Sequence, residues 1–178
     1  AQKSEINDPN ALTLGTVDQK GYPASRVVLL KDYNDDGFVF YTNFNSSKSK
    51  AIKENPKVSM CFHWKTLLRQ VRIIGLASKV SDKEADDYFY SRPYGSRIGA
   101  WASDQSSLLK SRKDILRKIE EFKKKFPNEN KVPRPKHWSG WRLKHEEIEF
   151  WLEGENRIHE RLKYTRNKNY WEKFLLSP

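Results

Sequence analysis

The chain has 178 residues, enough for one sizeable hydrophobic core, and a formal net charge of +11 from 34 Lys plus Arg against 23 Asp plus Glu. That excess favours anionic partners, namely nucleic acid, an acidic membrane surface or phosphorylated small molecules, without choosing among them. The single cysteine, Cys61, excludes an internal disulfide, argues against a structural zinc site and suits a cytoplasmic protein, while no apolar run reaches membrane-spanning length.

Hydrophobic residues make up only 37% of the chain but aromatics reach 13%, so a core of few, large side chains is expected. Ala11 to Val17 and Ala24 to Lys31 read as two strands of a hairpin around the turn material Asp18 to Gly21. Asp35, Asp36 and Gly37 mark another turn before a third strand, Phe38 to Thr42. Asn45 or Ser46 can cap a short helix ending before Pro56. Val58 to Trp64 and Gln70 to Ala77 are two more strands, joined at Lys65 to Leu68. Five strands with one short helix among them predict an antiparallel sheet curled into a barrel, not a doubly wound parallel sheet. A helix over Asp82 to Ser91 stops near Pro93, and Ser96 is expected to open a second. Ile115, Ile119, Phe122 and Phe126 recur at helical spacing before Pro127. Gly140 to Trp151 returns to strand-like alternation, and His159 to Thr165 and Tyr170 to Leu176 add two final strands. No repeat, low-complexity tract or boundary divides residues 1–178, so a single domain is expected.

No glycine-rich dinucleotide loop, P-loop or serine elbow is present, and His63, His137, His145 and His159 lack metal-ligand spacing, so no metal site is expected. The stretch Tyr88 to Ser107 instead mixes phenols, guanidiniums and hydroxyls. Tyr88 and Arg92 lie four apart on one helical face, and with Ser96 at a helix start they suit a dianion. The competing reading pairs Arg92 with a carboxylate and leaves the tyrosines to packing. In an extended segment Arg157, His159 and Arg161 share a face, where two cations flanking an imidazole would grip an anion. They could equally form a charged outer strand face paired with Glu155 and Glu160. Lys31, after the aliphatic run Val27 to Leu30, can reach a cavity mouth or simply snorkel. Thr42, Asn43, Ser46 and Lys48, with Gln70 and Arg72, suit a phosphate-bearing cofactor on a barrel rim, although turns and caps use the same residues.

Three blocks carry a resemblance: Arg69 to Arg72; Ser91, Arg92, Pro93 through Gln105, Ser106, Ser107; and Glu149, Phe150, Trp151 followed by Asn156 to Arg161. With the opening Asp8 to Ala11 and the closing Leu176 to Pro178, the chain resembles the pyridoxine (pyridoxamine) 5′-phosphate oxidase family over nearly its whole length. The resemblance implies an α+β, mainly β fold: an FMN-binding split β-barrel, antiparallel and Greek-key-like, with peripheral helices. It also implies a homodimer with FMN at the subunit interface, and strands over about 139–178 that complete the substrate site. The FMN contacts it implies are Arg26, Val27, Val28, Leu29, Tyr41, Thr42, Lys48, Gln70, Gln105, Ser106, Trp151 and Arg161. The substrate contacts it implies are Lys31, Tyr88, Arg92 and Ser96 for the 5′-phosphate, with Arg157 and His159 over the pyridine as the catalytic pair.

By the same resemblance the reaction is a hydride transfer from substrate C4′ to the flavin, followed by reoxidation with O2 to give hydrogen peroxide. Pyridoxine or pyridoxamine 5′-phosphate becomes pyridoxal 5′-phosphate, with ammonia released from the amine. Ser47 stands where the family has an arginine on the FMN phosphate, and Glu160 replaces an aspartate. About ten residues precede the first strand where the family has a longer leader, so a truncated leader is expected. Two alternatives differ in class. One is a split-barrel flavin enzyme with another substrate, such as a flavin reductase or an F420-type relative. The other is a basic barrel that binds single-stranded nucleic acid. The resemblance expects neither nucleic acid nor membrane as a partner.

Overall fold

A computed structural model describes residues 1–3, 5 and 8–178. Among the described residues nine strands form one sheet, and four α-helices accompany it: the mainly β architecture that the strand count anticipates. The path through the sheet is β2 (Pro23–Leu29), β1 (Ala11–Val17), β5 (Lys57–Trp64), β6 (Arg69–Lys79), β7 (Trp138–Leu152), β4 (Gly37–Asn43) and β3 (Asp32–Asn34). Strand β8 (Glu160–Asn167) pairs with β7, and β9 (Tyr170–Leu176) pairs with β8. Pairs β1–β2, β1–β5, β3–β4, β5–β6, β7–β8 and β8–β9 are all antiparallel. The helices are α1 (Ser47–Glu54), α2 (Asp82–Ser91), α3 (Tyr94–Ala102) and α4 (Arg112–Lys125).

The chain folds into two compact units. The first comprises Ala1–Phe40, Ala51–Ser78 and Arg142–Pro178. Its core is largely aliphatic, with Leu12, Leu14, Met60, Ile73 and Leu143 at 2% exposure or less beside the buried rings of Phe40 and Phe62, because β1 and β5 bury alternate residues. The first hairpin closes as its turn chemistry requires: Asp18 Oδ1 accepts the Lys20 and Tyr22 N–H groups, and Gly21 adopts φ +83°. Strand β3 is absent from the sequence reading because Asp32, Tyr33 and Asn34 are all exposed, so no apolar alternation marks them. It forms because Gly37, at φ +136°, turns the chain where a Cβ would strike the Leu143 carbonyl.

The second unit comprises Tyr41–Lys50 and Lys79–Trp141. Its core is aromatic, with Phe89, Ile98, Val132 and Trp138 buried against Tyr41, Tyr88, Trp101, Phe122 and Phe126. Ser81 and Glu84 form a capping box that starts α2 where the sequence places it. Helix α3 begins at Tyr94 and not at Ser96, with Pro93 as its N-cap at φ −56° and an extended ψ of 147°. Ser96 therefore lies within the first turn, and its N–H donates to the Pro93 carbonyl.

Candidate functional site

In the first unit the sheet register lines up a charged row. Trp151 on β7 faces Arg161 on β8, and Gln70 and Arg72 follow the same alternation on β6. The Glu149 carboxylate, 11% exposed, accepts from Arg161 Nε at 2.8 Å and from Arg72 Nη1 at 3.2 Å, which puts all three strands' polar residues on one face. Neighbouring Cys61 donates its thiol to Gln70 Oε1 at 3.0 Å, leaving the amide N–H groups to donate elsewhere. Burial pushes that thiol above its ordinary 9.0, so sulfur keeps its proton at neutral pH. A cavity of about 1770 Å³ is lined by Lys31, Gln70, Trp151, His159 and Arg161, together with apolar residues of the same unit.

The link between β7 and β8 corrects the extended reading of residues 157–161. Glu155–Arg157 form a 3-10 turn in which Asn156 and Arg157 have φ +53° and +65°. The strand starts only at Glu160, so Arg157 does not alternate with His159 and Arg161. Gly154 makes the turn possible, because a Cβ there would run into the Ile158 carbonyl. The Gly154 N–H donates to His159 Nδ1 at 3.3 Å, which makes Nε2 the donor of the neutral ring, and the imidazole lies 4.5 Å from the Trp151 ring. Arg26 turns back onto its own hairpin, with Nη1 donating to Thr16 Oγ1 at 2.7 Å and to the Leu14 and Ala24 carbonyls. Of its neighbours on β2, Val27 is 67% and Leu29 37% exposed, while Val28 is half-buried.

In the second unit Lys48 Nζ, at the start of α1, donates to Thr42 Oγ1 (3.2 Å), Gln105 Oε1 (3.2 Å) and Ser46 Oγ (3.4 Å). Thr42 in turn donates to Gln105 at 3.1 Å, so three residues that the sequence scatters over more than sixty positions form one cluster. Ser106, next to it, has φ +71° in a turn closed by the Ser107 N–H on the Asp104 carbonyl. Tyr41 and Tyr88 stack at 4.0 Å, both rings lie nearly parallel to Trp138, and the Arg92 guanidinium sits 4.8 Å over that indole. Trp138 is thus the platform for the group, although its sequence context is only that of a strand start. Arg92 Nη1 is buried and has no hydrogen-bond partner, and burial lowers the guanidinium's proton affinity, with the like charge of Arg97 adding to the effect. No carboxylate pairs with Arg92 among the described residues, so the reading that made it an ordinary ion pair fails.

Residues 1–126 match the family model described as pyridoxamine 5′-phosphate oxidase, and residues 138–178 match the pyridoxine 5′-phosphate oxidase C-terminal dimerisation region. The chain belongs to the pyridoxamine 5′-phosphate oxidase family. It is 63% identical to the pyridoxine/pyridoxamine 5′-phosphate oxidase of Pelagibacter ubique and 50% to that of Allorhizobium ampelinum, covering all of this chain and 86% and 87% of those proteins. Among solved structures, PhzG from Burkholderia lata in complex with tetrahydrophenazine-1-carboxylic acid superposes with a TM-score of 0.91. It is 30% identical, over 97% of this chain and 84% of that one. A pyridoxamine 5′-phosphate oxidase-related, FMN-binding protein from Nostoc punctiforme, 17% identical, reaches 0.78 over 97% and 90% and shares the fold. These likenesses bear out the split-barrel expectation.

Family membership also sharpens what spacing missed. Glu149 appears in the Glu149–Trp151 motif, yet only the register shows that it clamps two arginines. Ser47, where a family arginine is expected, is the exposed first residue of α1.

Proposed function

We propose that this protein oxidises pyridoxamine 5′-phosphate and pyridoxine 5′-phosphate to pyridoxal 5′-phosphate, using FMN and O2 and releasing hydrogen peroxide. The observation that carries this reading is 63% identity, without loss of coverage on this chain, to an oxidase named for both substrates. We further propose a cytoplasmic homodimer with FMN at the subunit interface; the matching dimerisation region supports the pairing of two copies. No helix is long and apolar enough to cross a membrane among the described residues.

The residues present fit such a cofactor. Lys48, Thr42, Gln105 and Ser106 offer an ammonium, hydroxyls and an amide to a phosphate, and Gln70, Trp151 and Arg161 offer donors and a flat face to a ring. Arg26, Val27, Val28, Leu29 and Tyr41 complete the proposed cofactor set. When bound, FMN supplies the two-electron acceptor. The chain's task is then to fix the substrate. Arg92 brings a guanidinium whose buried Nη1 lacks a partner, which a phosphate oxygen would supply, while Lys31, Tyr88 and Ser96 add an ammonium and hydroxyls. This remote grip contributes binding energy that orients the reacting carbon. Arg157 and His159 position and polarise the pyridine, the imidazole donating through Nε2 because Nδ1 is occupied by Gly154. No strong base is required of either.

A second reading follows from PhzG, which shares this fold and is in complex with a tetrahydrophenazine carboxylate. An enzyme of that kind would not need the phosphate grip. The decisive experiment loads the protein with FMN and adds pyridoxamine 5′-phosphate without oxygen. Bleaching of the visible flavin bands, followed by peroxide release on admitting air, is the expected result. Retention of the oxidised spectrum with this compound, but bleaching with an unphosphorylated aromatic, would overturn the proposal.

A further inference from the structure

A buried cation without a counter-ion is costly, and proteins keep one mainly where a ligand supplies the missing charge. Arg97 on α3 is such a group. It is 8% exposed, its Nε is buried with no hydrogen-bond partner, and no ion pair to it is found among the described residues. Arg92, five residues earlier at the C-terminal end of α2, has the same defect at Nη1. Burial is the main cause that lowers the proton affinity of Arg92; Tyr88 opposes it, and the like charge of Arg97 adds a smaller lowering, so the two guanidiniums lie within electrostatic range of each other. Two cations that each keep a buried N–H group without an acceptor suit a doubly charged anion with several oxygens. Aromatic surroundings strengthen the point: Trp138 and Phe89 flank Arg92 and offer no acceptor oxygen of their own.

We propose that Arg97 is a second guanidinium of the anion site built on Arg92, and that it sets the preference of this site for a dianionic phosphate monoester over neutral or singly charged analogues. The inference rests on the proposed oxidase reading for the identity of the ligand, but not for the existence of the anion site. Sequence spacing did not single out Arg97, because at position 97 it reads as one more basic residue on a short helix.

The test compares the FMN-loaded wild type with Arg97→Gln and Arg97→Lys. In Arg97→Gln, KM for pyridoxamine 5′-phosphate should rise roughly 10- to 100-fold with kcat held within about threefold, while Arg97→Lys recovers part of the loss. A purely structural arginine would behave differently in the melting temperature. In phosphate-free buffer Arg97→Gln should melt no lower than the wild type, since a neutral amide replaces an uncompensated buried cation. Inorganic phosphate and pyridoxal 5′-phosphate should each raise the wild-type melting temperature and do so less in Arg97→Gln, whereas unphosphorylated pyridoxal should leave both unchanged. A response to the ester but not to free phosphate assigns the site to the substrate alone and still supports the proposal. A KM in Arg97→Gln within about twofold of wild type, or a lowered melting temperature with the phosphate response intact, overturns it. Should the wild type fail to oxidise pyridoxamine 5′-phosphate, the oxidase reading falls while the melting comparison still decides the role of Arg97.

Discussion

At the scale of single residues, Glu149 shows how one buried carboxylate organises a surface. Its oxygens take one guanidinium each from Arg72 and Arg161, and Trp151 follows on the same strand face. Glu149→Gln leaves two cations facing a neutral amide, so unfolding in urea should reveal a loss of about 2 kcal/mol, discounted for the partly exposed arginines. Where Arg161 contacts FMN as proposed, FMN should also bind more weakly, because Arg161 loses the carboxylate that orients it. His145 gives a pH dependence. Burial and the nearby cations Arg166 and Lys144 hold its pKa below the ordinary 6.5 against the opposing pull of Asp35, and the ring stacks on Trp171 at 5.3 Å. The unfolded chain therefore takes up a proton before the folded one does. The stabilisation is present above pH 6.5 and fades as pH falls through the lowered folded-state value. Melting temperatures recorded downward from neutral pH should fall less steeply in His145→Phe, which keeps the stack; parallel curves would refute the assignment.

At the scale of elements, strand and helix positions were largely legible because period-2 and 3.6-residue patterns reflect burial directly. α2 is found at the expected residues because its capping box and Pro93 mark both ends in the sequence. The turn from Gly154 to His159 was not legible. Its geometry depends on a close approach between Gly154 and the Ile158 carbonyl, and on left-handed conformations at Asn156 and Arg157, which no apolar pattern records. Gly154→Ala should therefore displace the segment that carries Arg157 and His159. Turnover is expected to drop roughly tenfold or more, with a stability loss of about 2 kcal/mol by urea titration. Unchanged turnover would show that the turn's shape is not used.

At the scale of the whole molecule, residues 138–178 match a dimerisation region, and β9 exposes apolar side chains, with Leu175 at 84% and Phe174 at 44%. Such a strand in water invites a second copy. Leu175→Glu should weaken self-association, seen as a shift toward monomer in sedimentation velocity, and FMN retention should fall with it if the cofactor lies at the subunit interface. The excess of 34 basic over 23 acidic residues acts at this scale too, drawing phosphorylated ligands toward the protein in a salt-dependent way.

The sequence by itself determined most of the strands and helices, the excess of basic charge and the family, because these depend on local periodicity, composition and motifs readable along the chain. Only the tertiary structure decided which polar groups are matched and which are left without partners. Lys48, Thr42 and Gln105 converge, Glu149 joins two arginines, and Arg92 and Arg97 retain buried N–H groups with nothing to accept them. Hydrogen-bond satisfaction is a property of neighbours in space, and strand register and helix packing bring together residues that the sequence keeps far apart.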